Sequence, residues 1–162
     1  MKYIKGDLIK DALQFDVITH GCNCFCNMGS GIAPQIKESF PEAWEKDRVT
    51  VKGDRSKLGT ITYTMKTKPT VINSYTQFGC NRQNINIDYD AVRGAMRCIK
   101  KLFSGKKIGM PKIGAGLARG DWEIIELIIN EELGGEDVTV VIWDKNATLV
   151  EAETLLGGKT ND

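Results

Sequence analysis

The chain's only histidine and three of its five cysteines sit within seven residues, His20, Cys22, Cys24 and Cys26, and glycines follow at once in THGCNCFCNMGSGIA, residues 19–33. Imidazole and thiol this close together could ligate a metal, run redox chemistry, or lead into a phosphate-binding loop. Spacing argues against the metal. A strand over residues 17–22 advances about 3.3 Å per residue and carries Cys26 roughly 20 Å from His20. Zinc needs four donors within about 2.3 Å of one point, commonly supplied by C-x2-C turns, and the chain has no C-x-x-C. No metal is expected. An odd number of cysteines without a secretion signal favours reduced thiols in a cytoplasmic setting. The thiols then read as small apolar packing beside a tight loop.

Two glycine segments suit a different chemistry. Residues 27–33, N-M-G-S-G-I-A, and residues 113–122, I-G-A-G-L-A-R-G-D-W, each follow a strand pattern and lead into a helix pattern. Glycine lets backbone N–H groups approach a phosphate, and a helix N-terminus adds favourable potential. Either segment alone is an ordinary turn. Together in one small domain they could hold two phosphates, a diphosphate, without any lysine and without a cofactor. Neither is a Walker A loop, because no G-K-[ST] closes it, and neither is a G-x-G-x-x-G with an acidic residue downstream.

The elements that must position these segments follow from pattern. Residues 16–22, 70–76, 106–113 and 137–143 read as strands, as does the β-branched stretch 58–65. Residues 31–40 read as a helix, and residues 41–48 start another behind Pro41. Tyr89, Val92, Met96, Ile99 and Phe103 recur at helical spacing after Asp88, and Trp122, Ile125, Ile129 and Leu133 do so after Asp121, which reads as an N-cap. Strands alternating with helices imply an α/β layered fold with a largely parallel sheet, whose ligands sit beyond the carboxyl ends of the strands. With 162 residues, one domain is expected over residues 1–156, with a frayed tail at 157–162. Lys and Arg number 22 against 21 Asp and Glu, so no nucleic-acid partner is expected from bulk charge. No apolar run reaches the roughly 20 residues of a membrane span, and the N-terminus lacks a signal-peptide layout. A cytoplasmic location and no membrane partner are therefore expected.

Four ordered matches carry a family resemblance. K-G-D-L at 5–8, H-G-C-N at 20–23, M-G-S-G-I-A at 28–33 and M-P-K-I-G-A-G-L at 110–117 resemble the motifs of macro domains, modules that bind ADP-ribose. The resemblance implies a three-layer α/β/α fold with a mixed, mostly parallel six-stranded sheet. It implies that Asp7 receives the adenine amino group, helped by the Leu8 backbone, and that Trp143 lies beside the adenine. Met28, Gly29, Ser30, Gly31 and Ile32 then cradle one phosphate. Ile113, Gly114, Ala115, Gly116, Leu117 and Ala118 hold the other. Asn23 then reaches the distal ribose, and Gly21, Thr76 and Gln77 are further expected substrate-binding residues. Each residue has a plainer reading beside this one: Asp7 a turn carboxylate, Asn23 a turn asparagine, Trp143 core packing.

Within that family, H-x-C-N-C, M-G-S-G-I-A, Y-T-Q at 75–77 and I-G-A-G-L resemble the branch of yeast-type ADP-ribose 1''-phosphate phosphatases and their phage-borne relatives. The resemblance implies a phosphoric monoester hydrolase acting on ADP-ribose 1''-phosphate, with His20 implicated in catalysis and Asn23 beside it. As the only imidazole, His20 could act as general acid or base near neutral pH, or it is a buried histidine satisfied by backbone. Asp88 reads as the cap of the following helix and leaves Asp90 as a carboxylate candidate. A branch that removes ADP-ribose from proteins or DNA has a lysine where Gln77 stands and, in some members, an aspartate where Ala118 stands. A glutamine cannot form the Schiff base open to a lysine. A domain that binds ADP-ribose without turnover, and a hydrolase of ADP-ribosyl or O-acetyl-ADP-ribose bonds using bound water, stay open beside the phosphatase.

Overall fold

Parallel strands cannot be joined by tight turns, so alternating strand and helix patterns force helical crossovers and a sheet buried on both faces. The computed structural model describes residues 1–81 and 83–146. Residues 147–156 of the expected domain, and the expected tail at 157–162, lie outside the described residues. Six strands form one sheet: β1 (Lys2–Gly6), β2 (Val17–Cys22), β3 (Ile61–Tyr63), β4 (Thr70–Tyr75), β5 (Lys107–Met110) and β6 (Asp137–Trp143). Their order is β1-β6-β5-β2-β4-β3. Every pairing is parallel except that of β3 with β4, which is the mixed, mostly parallel sheet expected.

Among the described residues four α-helices cover it: α1 (Ala33–Ser39), α2 (Pro41–Arg48), α3 (Tyr89–Phe103) and α4 (Trp122–Glu132). Strand alternation divides the core between the two faces. Val17, Ile72, Ile108 and Val140 pack with Val92, Met96 and Ile99 of α3 and with Ile125 and Ile129 of α4. Ile4, Ile18, Val71 and Val141 pack on the other side with Ile36 of α1 and Ala43 of α2. Each fully buried aliphatic side chain contributes about 1.5–3 kcal/mol, so the layers are held by two apolar seams rather than by surface charge. The caps behave as their residue types require: the Asp88 side chain accepts from Ala91 N at 2.9 Å, and that of Asp121 accepts from Glu123 N at 2.9 Å. No helix among the described residues is long and apolar enough to cross a membrane.

Two strands are shorter than their patterns: the one expected to run to Ile113 ends at Met110, where Pro111 follows, and the one expected over 58–65 is also cut short. Residues 58–65 were expected to be extended, yet β3 covers only Ile61–Tyr63. A 3-10 turn over Arg55–Lys57, capped by Asp54, runs up to Leu58, and Gly59 then bends back at φ 79°. The turn takes up Leu58 N and Thr60 N, while Gly59 N and Thr60 O still bond to Tyr75 and Thr64 N to Val71 O, so contact with β4 continues past the regular strand. The parallel strands all end on one edge, so the loops after β1, β2, β4, β5 and β6 gather there.

Candidate functional site

Loops on that edge enclose two adjoining cavities of about 370 and 450 Å³. Gly31, Ile32, Pro111, Lys112 and Gly116 line both, so the cavities are one cleft with the two glycine segments at its waist. Asp7, Leu8, Ala115 and Trp143 line one end. Gly21, Asn23, Gly29, Ser30, Gln77, Ile113, Gly114, Leu117 and Ala118 line the other.

The waist is shaped by backbone. Gly31 at φ 63° and Gly114 at φ 74° occupy the left-handed region, where an L side chain is strained. A side chain on Gly114 would also collide with Ile87. The first segment is pinned by amides: Asn27 Oδ1 accepts from Gly29 N at 2.9 Å, Asn23 Oδ1 accepts from Phe25 N at 2.9 Å, and Asn23 Nδ2 donates to Asn27 O at 2.9 Å. In the second, Gly120 N donates to Gly114 O at 2.7 Å. Asp7 combines both of its readings. Its Oδ1 accepts from the Ile9 and Lys10 amides, closing a turn, while the residue lines the cleft. Trp143 is 67% exposed, so its indole is not core packing.

His20 is not in the cleft. Its side chain is fully buried, with Nε2 2.7 Å from Asn73 Oδ1. Asn73 Nδ2 donates to Ala43 O and Thr62 Oγ1, which leaves its Oδ1 to accept, so His20 Nε2 carries the proton. Burial pushes the imidazole down to about 4, against the opposing hydrogen bond from Asn73. The reason is strand period: Gly21 faces the α3 and α4 layer, where a Cβ would meet Thr76 Oγ1 and Ile113, and His20 one residue earlier must face the α1 and α2 layer. Cys22 Sγ lies 3.5 Å from His20 Nε2, and burial holds the Cys22 thiol well above its ordinary value.

Three other expected residues also stand apart from the cleft lining. Asp90 is exposed in the first turn of α3. Met28 is buried against Cys22, Ala33 and Tyr75. Thr76 is fully buried beneath Gly21, and its Oγ1 has no hydrogen-bond partner among the described residues. Lys112 is exposed and lines both cavities, since Pro111 and Lys112 join the end of β5 at Met110 to the second segment, and its ammonium lies 5.8 Å from the centre of the Trp122 ring. Its place inside M-P-K-I-G made it findable. Asn27, Gln35 and Cys80 also line the cleft, and only Asn27, at the head of the first segment, carried a signal in sequence.

Behind β2 and β4 lies a buried polar chain. The Tyr75 hydroxyl donates to Asp47 at 2.8 Å and lies 3.1 Å from Thr62 Oγ1, which reaches Asn73 and so His20. Burial raises the Asp47 carboxyl, opposed by the Tyr75 hydrogen bond and the Lys57 charge. The three clustered cysteines point to separate partners: Cys22 to His20, Cys24 to Gln77 O, and Cys26 to Asp47 O and Thr50. The described residues hold no group of three or more His, Cys, Asp or Glu placed to share an ion.

Comparison with known proteins then bears on this cleft. The family description "Macro domain" matches residues 19–129. An uncharacterized 17.5 kDa protein of Enterobacteria phage T4 is 36% identical over 153 residues, covering 89% of this chain and 97% of its own. The ADP-ribose glycohydrolase OARD1 of Bos taurus is 28% identical over 145 residues, 87% of this chain and 89% of that one. The ADP-ribose 1''-phosphate phosphatase of Candida albicans is 24% identical over 146 residues, 81% and 92% of the two chains. Among solved structures, a Bacteroides thetaiotaomicron protein superposes with a TM-score of 0.73 at 29% identity, covering 89% of this chain and 99% of its own. The macrodomain of Thermus aquaticus DarG gives 0.65 at 22%, with 88% and 97% covered.

Proposed function

The chain belongs to the macro domain family, and on that premise we propose that its cleft binds ADP-ribose and hydrolyses the phosphomonoester of ADP-ribose 1''-phosphate. One observation carries the binding reading: both glycine segments line both cavities, so a diphosphate at the waist would have a nucleoside on one side and a ribose on the other. Backbone N–H groups of the two segments hold the phosphates, and the exposed Lys112 adds a positive charge. Asp7 and Trp143 receive the adenine, with Leu8 beneath. Asn23 and Gln77 face the distal ribose, and Gln77 keeps its carboxamide oxygen available while Nε2 donates to Gly79 O at 2.8 Å.

In the proposed reaction, water attacks phosphorus. The bond from phosphorus to the ribose 1''-oxygen breaks, the sugar oxygen takes a proton, and inorganic phosphate leaves beside ADP-ribose. The Candida albicans relative supports this reaction by its name. His20, buried against Asn73, supports the cleft by fixing β2 below Asn23, and neither His20 nor Asp90 is among the residues lining the cleft. A second reading, a domain that binds ADP-ribose without turnover, is favoured by the lining of the distal end, which includes no imidazole and no carboxylate among the described residues.

The test is phosphate release from ADP-ribose 1''-phosphate, run beside calorimetry with ADP-ribose and AMP. Release with ADP-ribose binding far tighter than AMP is the expected result. Binding without release selects the second reading, and equal affinity for AMP and ADP-ribose removes the diphosphate site.

A further inference from the structure

A third cavity, about 350 Å³, lies on the outer side of the first glycine segment. Asn27 and Gly29 line both it and the cleft. Its walls carry the half-buried rings of Phe25 and Trp44 and the exposed Lys37 and Lys52, with no carboxylate among them. The Lys37 ammonium stands 4.2 Å from the centre of the Trp44 ring. Rings and cations continue beyond the cavity. Phe78 packs edge-on against Phe25 with centroids 4.9 Å apart, and the Arg55 guanidinium lies 3.8 Å from the centre of Phe78. Three rings and three cations therefore form one strip across α1, α2, the α2–β3 connection and the loops after β2 and β4. Of the acidic side chains on the neighbouring elements, Glu45 pairs with Arg48, Glu42 accepts from the Met65 and Lys66 amides, Asp47 from the Tyr75 hydroxyl and Asp54 from Ser56 N, while Glu38 is exposed on α1 and does not line the cavity.

We propose that this strip binds single-stranded nucleic acid. Bases stack on Trp44, Phe25 and the guanidinium plane that Arg55 lays over Phe78, and phosphates pair with Lys37, Lys52 and Arg55. Charge alone would suit any polyanion; the rings are what select bases, because an acidic peptide leaves them unused. The chain's net charge of +1 removes bulk attraction but not a local strip, so binding is weak and salt-sensitive. The proposal does not depend on what fills the cleft.

The experiment is fluorescence anisotropy of a labelled short oligothymidylate titrated with the whole protein at low and moderate salt. Saturable binding is expected, with a log–log salt slope near −2, as about 0.7 per contact gives for three cations on a single strand. Trp44→Ala should weaken it about tenfold, the lower range for losing one stacked base. The double variant Lys37→Glu/Lys52→Glu should weaken it at least as much, and since both lysines are exposed, that variant decides the matter if Trp44→Ala fails to fold. The lysine double variant should keep the thermal midpoint, whereas Trp44→Ala lowers it because the ring packs against Cys22, Met28, Ala33 and Tyr75; ADP-ribose binding measured on the same samples reports separately on the cleft. No binding of the oligothymidylate at low salt overturns the proposal, as does affinity unchanged in the lysine double variant. Equal affinity for a labelled polyglutamate peptide also overturns it and points to an acidic protein instead.

Discussion

Two consecutive residues of β2 divide the chemistry of this protein. His20, the most reactive side chain of the segment by type, is sealed between β2 and α2 and bonded to Asn73. Gly21, which has no side chain, lines the cleft. The pair teaches that in a buried parallel strand a polar residue one position from a site belongs to the opposite layer. His20 therefore holds β2 and β4 in register, while Gly21 leaves room above Thr76 and Ile113 for a ligand.

Removing the imidazole sharpens that contrast most. His20→Ala should lower stability by about 2–4 kcal/mol, from the cavity and from the stranded Asn73 acceptor, and leave the ADP-ribose dissociation constant within about twofold. Denaturant unfolding and calorimetry on one preparation check this; a stable variant with lost turnover would break the comparison and make His20 part of the chemistry.

The same burial predicts a pH dependence. His20 is held down at about 4 in the folded protein from an ordinary 6.5, so the unfolded chain takes up its proton first as pH falls. Its contribution is complete above about pH 6.5 and is lost between there and pH 4, roughly 3 kcal/mol in all at 1.36 kcal/mol per unit. Unfolding free energies measured across that window should fall less steeply in His20→Gln than in the unmodified protein. Equal slopes would place the imidazole in water.

On the cleft side the expectation reverses. A Cβ on Gly116 meets nothing within 4 Å, so Gly116→Val should fold normally while its side chain stands in the waist of the cleft. Loss of two charge-assisted contacts weakens ADP-ribose binding about a hundredfold, with the thermal midpoint unchanged. Retained affinity in the folded variant would take the second segment out of the site. The smallest effect belongs to Lys112→Gln, about threefold to tenfold in affinity together with a shallower salt dependence, as one exposed charge allows. A salt profile identical to that of the unmodified protein would leave the loops binding through backbone alone.

Much of the architecture was legible because it depends on local periodicity and capping. Val92, Met96 and Ile99 recur at helical spacing and form the buried face of α3, and Asp88 caps it as a short polar side chain before an apolar run should. The glycine segments were legible for the same reason, since they follow strands and open toward helices. β3 was over-read because alternation over residues 58–65 cannot reveal that residues 55–57 fold into a 3-10 turn. Lys112 sits inside M-P-K-I-G-A-G-L, and only the fold shows that it lines both cavities. Gln35, in the first turn of α1, and Cys80, in the loop after β4, line the cleft close behind quoted segments, but no local pattern singles out either residue.

What the sequence alone determined is which chemistry is on offer: an order of strands and helices, two glycine segments able to approach phosphate, Asp7 behind a first strand, and thiols too widely spaced for a common ion. Tertiary structure decided which of these meet. Strand polarity gathered Asp7, Asn23, Gln77 and Trp143 from the ends of separate strands onto one edge, and side-chain alternation sent His20 into the opposite layer. The physical reason is that the placement of a side chain across a sheet depends on long-range pairing register, such as His20 opposite Asn73. Residues more than fifty positions apart set that register, and no window along the chain contains both.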